Sequence, residues 1–241
     1  MDRAAAPLTM QSLRPGYRAL VVGASGGIGQ ALVRELEADP TCGGVVPLSR
    51  RSHPGFDLRE TEQLPHVLAS IWVDGPFDLV LDATGWLHDP SHQPEKRMSA
   101  VSIDALQHAI RINALGPFML MQAIVPHLPK QRRVIYAKWS ARVGSIEDNR
   151  KGGWYSYRAS KAALNQLLQT AAIDLSRSHP DCVVAAVQPG TVATRLSEPF
   201  AAAANAMSTQ ASAQRVLSVL DGLQPIGRAQ FIDHAGQTIP W

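Results

Sequence analysis

Arg18-Ala19-Leu20-Val21-Val22-Gly23-Ala24-Ser25-Gly26-Gly27-Ile28-Gly29 runs from a short apolar segment through four glycines into an amphipathic one. Residues Arg18–Val22 read as a buried strand that stops at Gly23. Residues Gly29–Ala38 read as a helix, with Ile28, Leu32, Val33 and Leu36 on one side. Between them, the glycines permit a tight turn and a close approach of backbone to an anion. The helix N-terminus supplies free N–H groups and the positive end of its dipole. Gly23, Ser25, Gly26, Gly27, Ile28 and Gly29 are therefore candidates for holding a pyrophosphate. A glycine turn alone is often only a turn; between a first strand and a first helix it points to a dinucleotide. The spacing is G-x-x-x-G-x-G rather than G-x-G-x-x-G.

The same alternation continues along the chain. Gly44–Leu48, Phe77–Asp82, Arg133–Lys138, Val183–Gln188 and Gln230–Ile232 read as strands. Glu62–Trp72, Ile103–Leu128, Ser156–Arg177 and Ala211–Leu220 read as helices, with a kink expected at Pro117. The strands are continuous apolar runs, as in parallel sheets buried on both faces. The expected fold is α/β, a Rossmann-like doubly wound parallel sheet in one domain over residues 17–241. Residues 1–16 are expected to form a disordered or extended leader. The alanine-rich run Ala201–Ala206 reads as part of a flap over Leu196–Ser208.

Composition narrows the function classes. A net charge of +3 is too small to argue for nucleic acid, though arginines suit a phosphate ligand. Two cysteines, Cys42 and Cys182, give no disulfide framework. No apolar run reaches the roughly 20 residues a membrane span requires, and the N-terminus lacks a signal-peptide core. The eight histidines show no metal-ligand spacing, so no metal is expected. These features suggest a soluble cytoplasmic protein without a membrane partner. The two long helices carry more apolar surface than one sheet face needs, which suggests a homodimer or homotetramer.

Tyr157 and Lys161 lie four residues apart in Gly152-Gly153-Trp154-Tyr155-Ser156-Tyr157-Arg158-Ala159-Ser160-Lys161, so a helix puts them on one face. A cation beside a phenol favours the phenolate and makes Tyr157 a candidate acid/base. Tyr155 lies six residues from Lys161 and points elsewhere. The second strand ends in Ser49-Arg50-Arg51; two guanidinium groups and a hydroxyl suit a 2′-phosphate, where an acidic residue would suit a 2′-hydroxyl. That reading favours NADP(H) over NAD(H).

The glycine spacing together with Tyr157-x-x-x-Lys161 resembles the short-chain dehydrogenases/reductases, over nearly everything from Arg18 to Trp241. The Gly152–Lys161 stretch, the turn Pro189-Gly190-Thr191-Val192 and the ending Gly236–Trp241 make the chain most similar to the C-factor-like oxidoreductases. The resemblance implies hydride transfer between nicotinamide and a carbonyl/alcohol of a small molecule. It assigns Tyr157 the proton and Lys161 the ribose contact and a lowering of the Tyr157 pKa. It gives Asn113 a water that links Lys161 to solvent. It also implies adenine contacts from Asp57-Leu58 after a third strand, and a turn at Asp82-Ala83-Thr84-Gly85 where relatives have Asn-Asn-Ala-Gly. Ala83, Thr84 and Gly85 join the cofactor candidates, as do Pro189, Gly190, Val192 and Thr194, which bracket the nicotinamide in relatives.

The usual serine that holds the substrate oxygen falls on Ala141, with Ser140 one residue earlier; Ser140 is the candidate for its role. Trp86, Trp139 and Trp154 are candidates for an aromatic substrate pocket. A rival reading keeps the same fold as a catalytically weak NADP(H)-binding sensor or scaffold.

Overall fold

The apolar runs pair side by side. In a computed structural model, which describes residues 8–200 and 206–241, they form one six-stranded sheet, all parallel, in the order β2-β1-β3-β4-β5-β6. The strands are β1 (Tyr17–Val22), β2 (Cys42–Leu48), β3 (Leu79–Asp82), β4 (Val134–Trp139), β5 (Cys182–Gln188) and β6 (Gln230–Asp233). The helices are α1 (Gly27–Glu37), α2 (Leu64–Ala69), α3 (Ile103–Ile110), α4 (Gly116–Ile124), α5 (Tyr155–Ser178) and α6 (Thr209–Gly222). Leu32 and Leu36 of α1 and Val216, Leu217 and Leu220 of α6 cover one face. Leu64 and Leu68 of α2, Leu120 and Ile124 of α4, and Leu164 and Leu168 of α5 cover the other. Each such leucine contributes roughly 1.5–3 kcal/mol by leaving water.

Strand order reverses at β1, whose neighbours are β2 and β3. A crevice opens above the carboxyl ends of strands at such a switch, and ligands of open α/β sheets bind there. The glycine turn after β1 and the Asp82–Gly85 turn after β3 both end at this place.

Four expectations change. No third strand forms between β2 and β3. Arg51-Ser52-His53-Pro54-Gly55 has no apolar run and closes instead into turns, with the amides of His53 and Phe56 bonded to the carbonyls of Ser49 and His53. β2 is consequently an edge strand, and it carries Pro47. Next, the long helix over Ile103–Leu128 is not merely kinked at Pro117. Pro117 has no N–H for the Asn113 carbonyl, and the ladder widens to a π turn over Arg111–Leu115, closed by the Gly116 amide on the Arg111 carbonyl. By length and composition the run Ile103–His127 would qualify as a membrane span, with a mean hydropathy of 1.2 over its most apolar 18 residues. The expectation that no such run exists is therefore corrected; here its apolar side packs on α5 and the sheet.

Finally, residues 8–16 are not a loose leader. Met10 and Leu13 are buried, the Met10 amide bonds Asp39, and the amides of Gln11 and Ser12 bond Asp221. Residues 1–7 and most of the alanine-rich run (201–205) lie outside the described residues.

Candidate active site

Gly23 ends β1 with φ of 79°, a left-handed conformation that suits glycine. A Cβ on Gly29 would lie 2.2 Å from the Gly23 carbonyl oxygen, so α1 packs here only because residue 29 has no side chain. Ser25, Gly26 and Gly27 are exposed. The first turn of α1 has neither an acidic residue nor a side-chain cap, and its free N–H groups face outward. A Cβ on Gly27 would stand 3.2 Å from the methyls of Thr194 and Thr209. The fold thus brings the Pro189–Thr194 turn against the glycine turn. The amides of Met207 and Ala193 exchange bonds with the carbonyls of Thr191 and Met207, which fixes that turn, and Val192 is buried within it. Gly190, at φ of 87°, lies under Met207 and His234. The residues suit a pyrophosphate: bare backbone amides, no competing carboxylate, and a cradle that side chains would fill.

Ser49 is buried, and its hydroxyl loops back to Ser52, 3.2 Å away. Arg50 and Arg51 are exposed at the end of β2 and make no ion pair among the described residues. Asp57 accepts a two-pronged bond from Arg59, which with Arg50 nearby holds its carboxyl below the usual range. Leu58 is buried, and a Cβ on Gly116 would meet its carbonyl oxygen at 2.3 Å.

After β3, the missing asparagines are replaced by a buried ion pair. Lys138 on β4, 1% exposed, donates to Asp82 Oδ1 at 3.1 Å, to the Thr84 carbonyl at 2.6 Å and to Thr84 Oγ1 at 2.8 Å. The Thr84 amide also bonds Asp82 Oδ1. This lysine sets the Ala83-Thr84-Gly85 turn, and the sequence reading did not single it out.

Tyr157 and Lys161 are both buried on α5, with Lys161 Nζ 5.7 Å from the Tyr157 ring centre. Lys161 Nζ donates to the Trp139 carbonyl at 3.0 Å. Burial pushes the Tyr157 phenol well above its ordinary value. The expected lowering by Lys161 is absent from the free chain. The reason is physical: burial also pushes Lys161 well below its ordinary value, the Lys138 charge adds to that fall, and Asp82 opposes it only in part.

Asn113 sits in the π turn with no exposure, and its side chain makes three hydrogen bonds. Its Oδ1 accepts the Trp86 amide and its Nδ2 donates to the Trp86 carbonyl, both at 2.8 Å, and Nδ2 also reaches Ser160 Oγ at 3.0 Å. Ser160 in turn donates to the Tyr157 carbonyl. Asn113 thus ties the segment after Gly85 to the helix that carries Tyr157.

Ser140 makes no hydrogen bond to Tyr157 among the described residues. Its hydroxyl donates to Asn165 Oδ1 at 2.6 Å, one helical turn beyond Lys161. Ala141 is the residue left partly open. The three tryptophans do not form one pocket either. Trp139 is buried in the core beside α1 and α6, and Trp86 packs edge-on against His92 and His108. Only Trp154 meets Tyr157, edge to face at 6.1 Å between ring centres, with Phe200 and His88 continuing the cluster.

Glu95, also unremarked in the sequence, is buried and bonds the amide and hydroxyl of Ser156. A carboxylate at this helix N-terminus suits the dipole, and the Glu95 carbonyl holds the Trp154 amide with Trp154 at φ of 54°.

Comparison with known proteins agrees with this geometry. A family described as enoyl-(acyl carrier protein) reductase matches residues 55–229. The 1-hydroxy-2-glutathionyl-2-methyl-3-butene dehydrogenase of Rhodococcus sp. (strain AD45) is 29% identical over 239 residues, covering 92% of this chain and 98% of that protein. C-signal of Myxococcus xanthus is 36% identical over 172 residues, 69% of this chain and 94% of that one. A short-chain dehydrogenase/reductase of Burkholderia multivorans, solved with bound NADP, superposes with a TM-score of 0.78 at 26% identity, covering 94% of this chain and all of that one. Carbonyl reductase Sniffer of Drosophila melanogaster superposes with a TM-score of 0.80 at 20% identity, over 94% of this chain and 99% of that one, a likeness of fold. A family match across most of the chain, joined to a relative aligned over nearly its whole length, leads to one conclusion: this chain belongs to the short-chain dehydrogenase/reductase family of oxidoreductases.

Proposed function

We propose that this protein is an NADP(H)-dependent carbonyl reductase or alcohol dehydrogenase of a small organic molecule, with Tyr157 as its acid/base. The observation that carries the reading is convergence. The buried Tyr157–Lys161 face of α5, the bare amides of α1 and the Pro189–Thr194 turn belong to one sheet edge. When bound, the nicotinamide supplies or receives the hydride; the protein's share is orientation, a proton and electrostatics. Gly23, Ser25, Gly26, Gly27, Ile28 and Gly29 would hold the pyrophosphate, Lys161 the ribose, and Gly190, Val192 and Thr194 the carboxamide side.

Burial keeps the Tyr157 phenol protonated through neutral pH, so in the free chain it is a proton donor, as reduction of a carbonyl requires. The neighbouring Trp154 and Phe200 favour a substrate with apolar surface.

Arg50 and Arg51, exposed at the end of β2, favour a 2′-phosphate. Replacing both by Ala is expected to weaken NADPH binding about tenfold or more and leave NADH binding unchanged; fluorescence titration with each cofactor checks it. An unaltered NADPH/NADH ratio would refute the preference.

With Ser140 turned to Asn165, the substrate oxygen lacks the serine donor usual in relatives. Ala141→Ser should raise kcat/KM about tenfold, a fraction of what a well-placed oxyanion donor contributes. An unchanged value means that the position does not face the substrate.

Leu115, Met119 and Ile173, exposed on the helices around Asn113 and Lys161, support a homo-oligomer. The two free thiols fit a cytoplasmic setting. A screen of aldehydes, ketones and quinones, followed by NADPH absorbance, tests the activity. Binding of NADPH without turnover of any of them would favour the sensor reading.

A further inference from the structure

The segment after Gly85 and helix α3 bring together side chains that the proposed hydride-transfer site does not use. Asp89, His92 and His108 offer ligand atoms that all lie within 4.8 Å of one another. His92 Nδ1 is 3.1 and 3.3 Å from the two Asp89 carboxylate oxygens, and His108 Nε2 is 3.7 Å from Asp89 Oδ2. The two imidazoles stack with centres 4.8 Å apart and planes 9° apart. Asp104, at the start of α3, reaches His92 Nε2 at 2.8 Å and is largely exposed. Residue spacing gave no hint of this cluster and led to the expectation of no metal; the fold brings His92 and His108 together across the fifteen residues that separate them in sequence.

Two features separate the cluster from an ordinary surface network. The ring nitrogens of His108 make no hydrogen bond among the described residues, and its Nε2 stops short of Asp89. Asp89 is oriented from outside the cluster: Trp86 Nε1 donates to its Oδ2 at 3.2 Å, and the amides of Ser91 and His92 bond its Oδ1. Groups that donate to a ligating carboxylate are what metal sites use to aim their ligands. Around a tetrahedral zinc ion with bonds of about 2.0–2.2 Å, ligand atoms stand roughly 3.4 Å apart. The His92–Asp89 pair, at 3.1–3.3 Å, and the His108–Asp89 pair, at 3.7 Å, lie on either side of that value.

We propose that Asp89, His92 through its Nδ1, and His108 form a site for a divalent cation of the zinc type, with water as the fourth ligand and Asp104, on the Nε2 side of His92, orienting that ring from outside. Two imidazoles and a carboxylate select borderline metals over calcium or magnesium, which prefer all-oxygen shells. The site's place in the fold gives it a structural consequence. Trp86 is held by its backbone to Asn113, and His108 lies just before the π turn that contains Asn113. A bound cation would therefore clamp the segment after Gly85 to α3 at the border of the active site, without taking part in chemistry.

The test is isothermal titration of zinc chloride into full-length, tag-free protein stripped with chelator. One equivalent with micromolar or tighter affinity is expected. His92→Ala and the near-isosteric His108→Asn should each weaken binding about tenfold or more, while His66→Ala, on exposed α2 surface, should leave it unchanged. Circular dichroism confirms that each variant is folded. Cobalt(II) should give the intense visible bands of tetrahedral coordination in the parent and lose them in His108→Asn. No zinc uptake, or equal uptake by the His92→Ala/His108→Asn double variant, would overturn the proposal.

Discussion

Tyr157→Phe is expected to lower kcat by about 10²–10⁴, the range that a positioned acid/base contributes, and to leave cofactor affinity within about twofold. The two halves of this expectation rest on different observations. The ring of Tyr157 is packed against Trp154, and phenylalanine preserves that packing. The hydroxyl makes no hydrogen bond to the described residues, so its removal leaves no buried partner unsatisfied. The amides that would hold the pyrophosphate belong to α1, on the other side of the crevice. What disappears is the proton on the substrate oxygen, a barrier increase of about 3–5 kcal/mol. Stopped-flow or steady-state NADPH oxidation measures the loss, and fluorescence titration measures the retained binding. Turnover at the parent rate would remove Tyr157 from its role.

Lys138→Met should be the most damaging single change to stability outside the hydrophobic core, at about 3–5 kcal/mol. Methionine nearly matches the volume of lysine, so cavity formation is a small part of the cost. The larger part is Asp82, fully buried and left without its cation, together with the Thr84 carbonyl and hydroxyl that Lys138 also bonds. Urea denaturation followed by circular dichroism should show a lower midpoint with an unchanged slope. The double variant Asp82→Asn/Lys138→Met removes both charges and should recover much of the loss. If it is no more stable than the single variant, the damage does not come from an uncompensated charge.

The contrast between these residues shows what a linear reading can reach. The glycine turn was legible because backbone approach leaves a compositional mark: Gly29 must lack a Cβ, and no other residue satisfies that. Tyr157 and Lys161 were legible because four residues make one helical turn. The Lys138–Asp82 pair was not, since it joins two strands 56 residues apart in sequence. Strand register, which sets Asp82 beside Lys138, is a property of the assembled sheet. Ser140 was misread for a subtler reason: successive residues leaving a strand point in opposite directions, so one step separates Asn165 from the crevice. The π turn was half legible. Pro117 marked the disturbance, but a change in helical period over five residues is invisible in a pattern of apolar side chains.

The two flanks of the sheet have a consequence for how copies of this protein meet. On one side, the loss of a third strand leaves β2 outermost, and Pro47 removes a donor from that rim. On the other, the chain folds back along β6: the Ile239 amide bonds the Phe231 carbonyl, and the Asp233 amide bonds the Gln237 carbonyl. Neither rim offers a full row of open amides and carbonyls to a neighbouring chain. Strand-by-strand growth, the route by which exposed sheets run into fibres, is obstructed at both ends. Helices and loops, where side chains rather than backbone decide who is admitted, are the surfaces this arrangement favours for assembly.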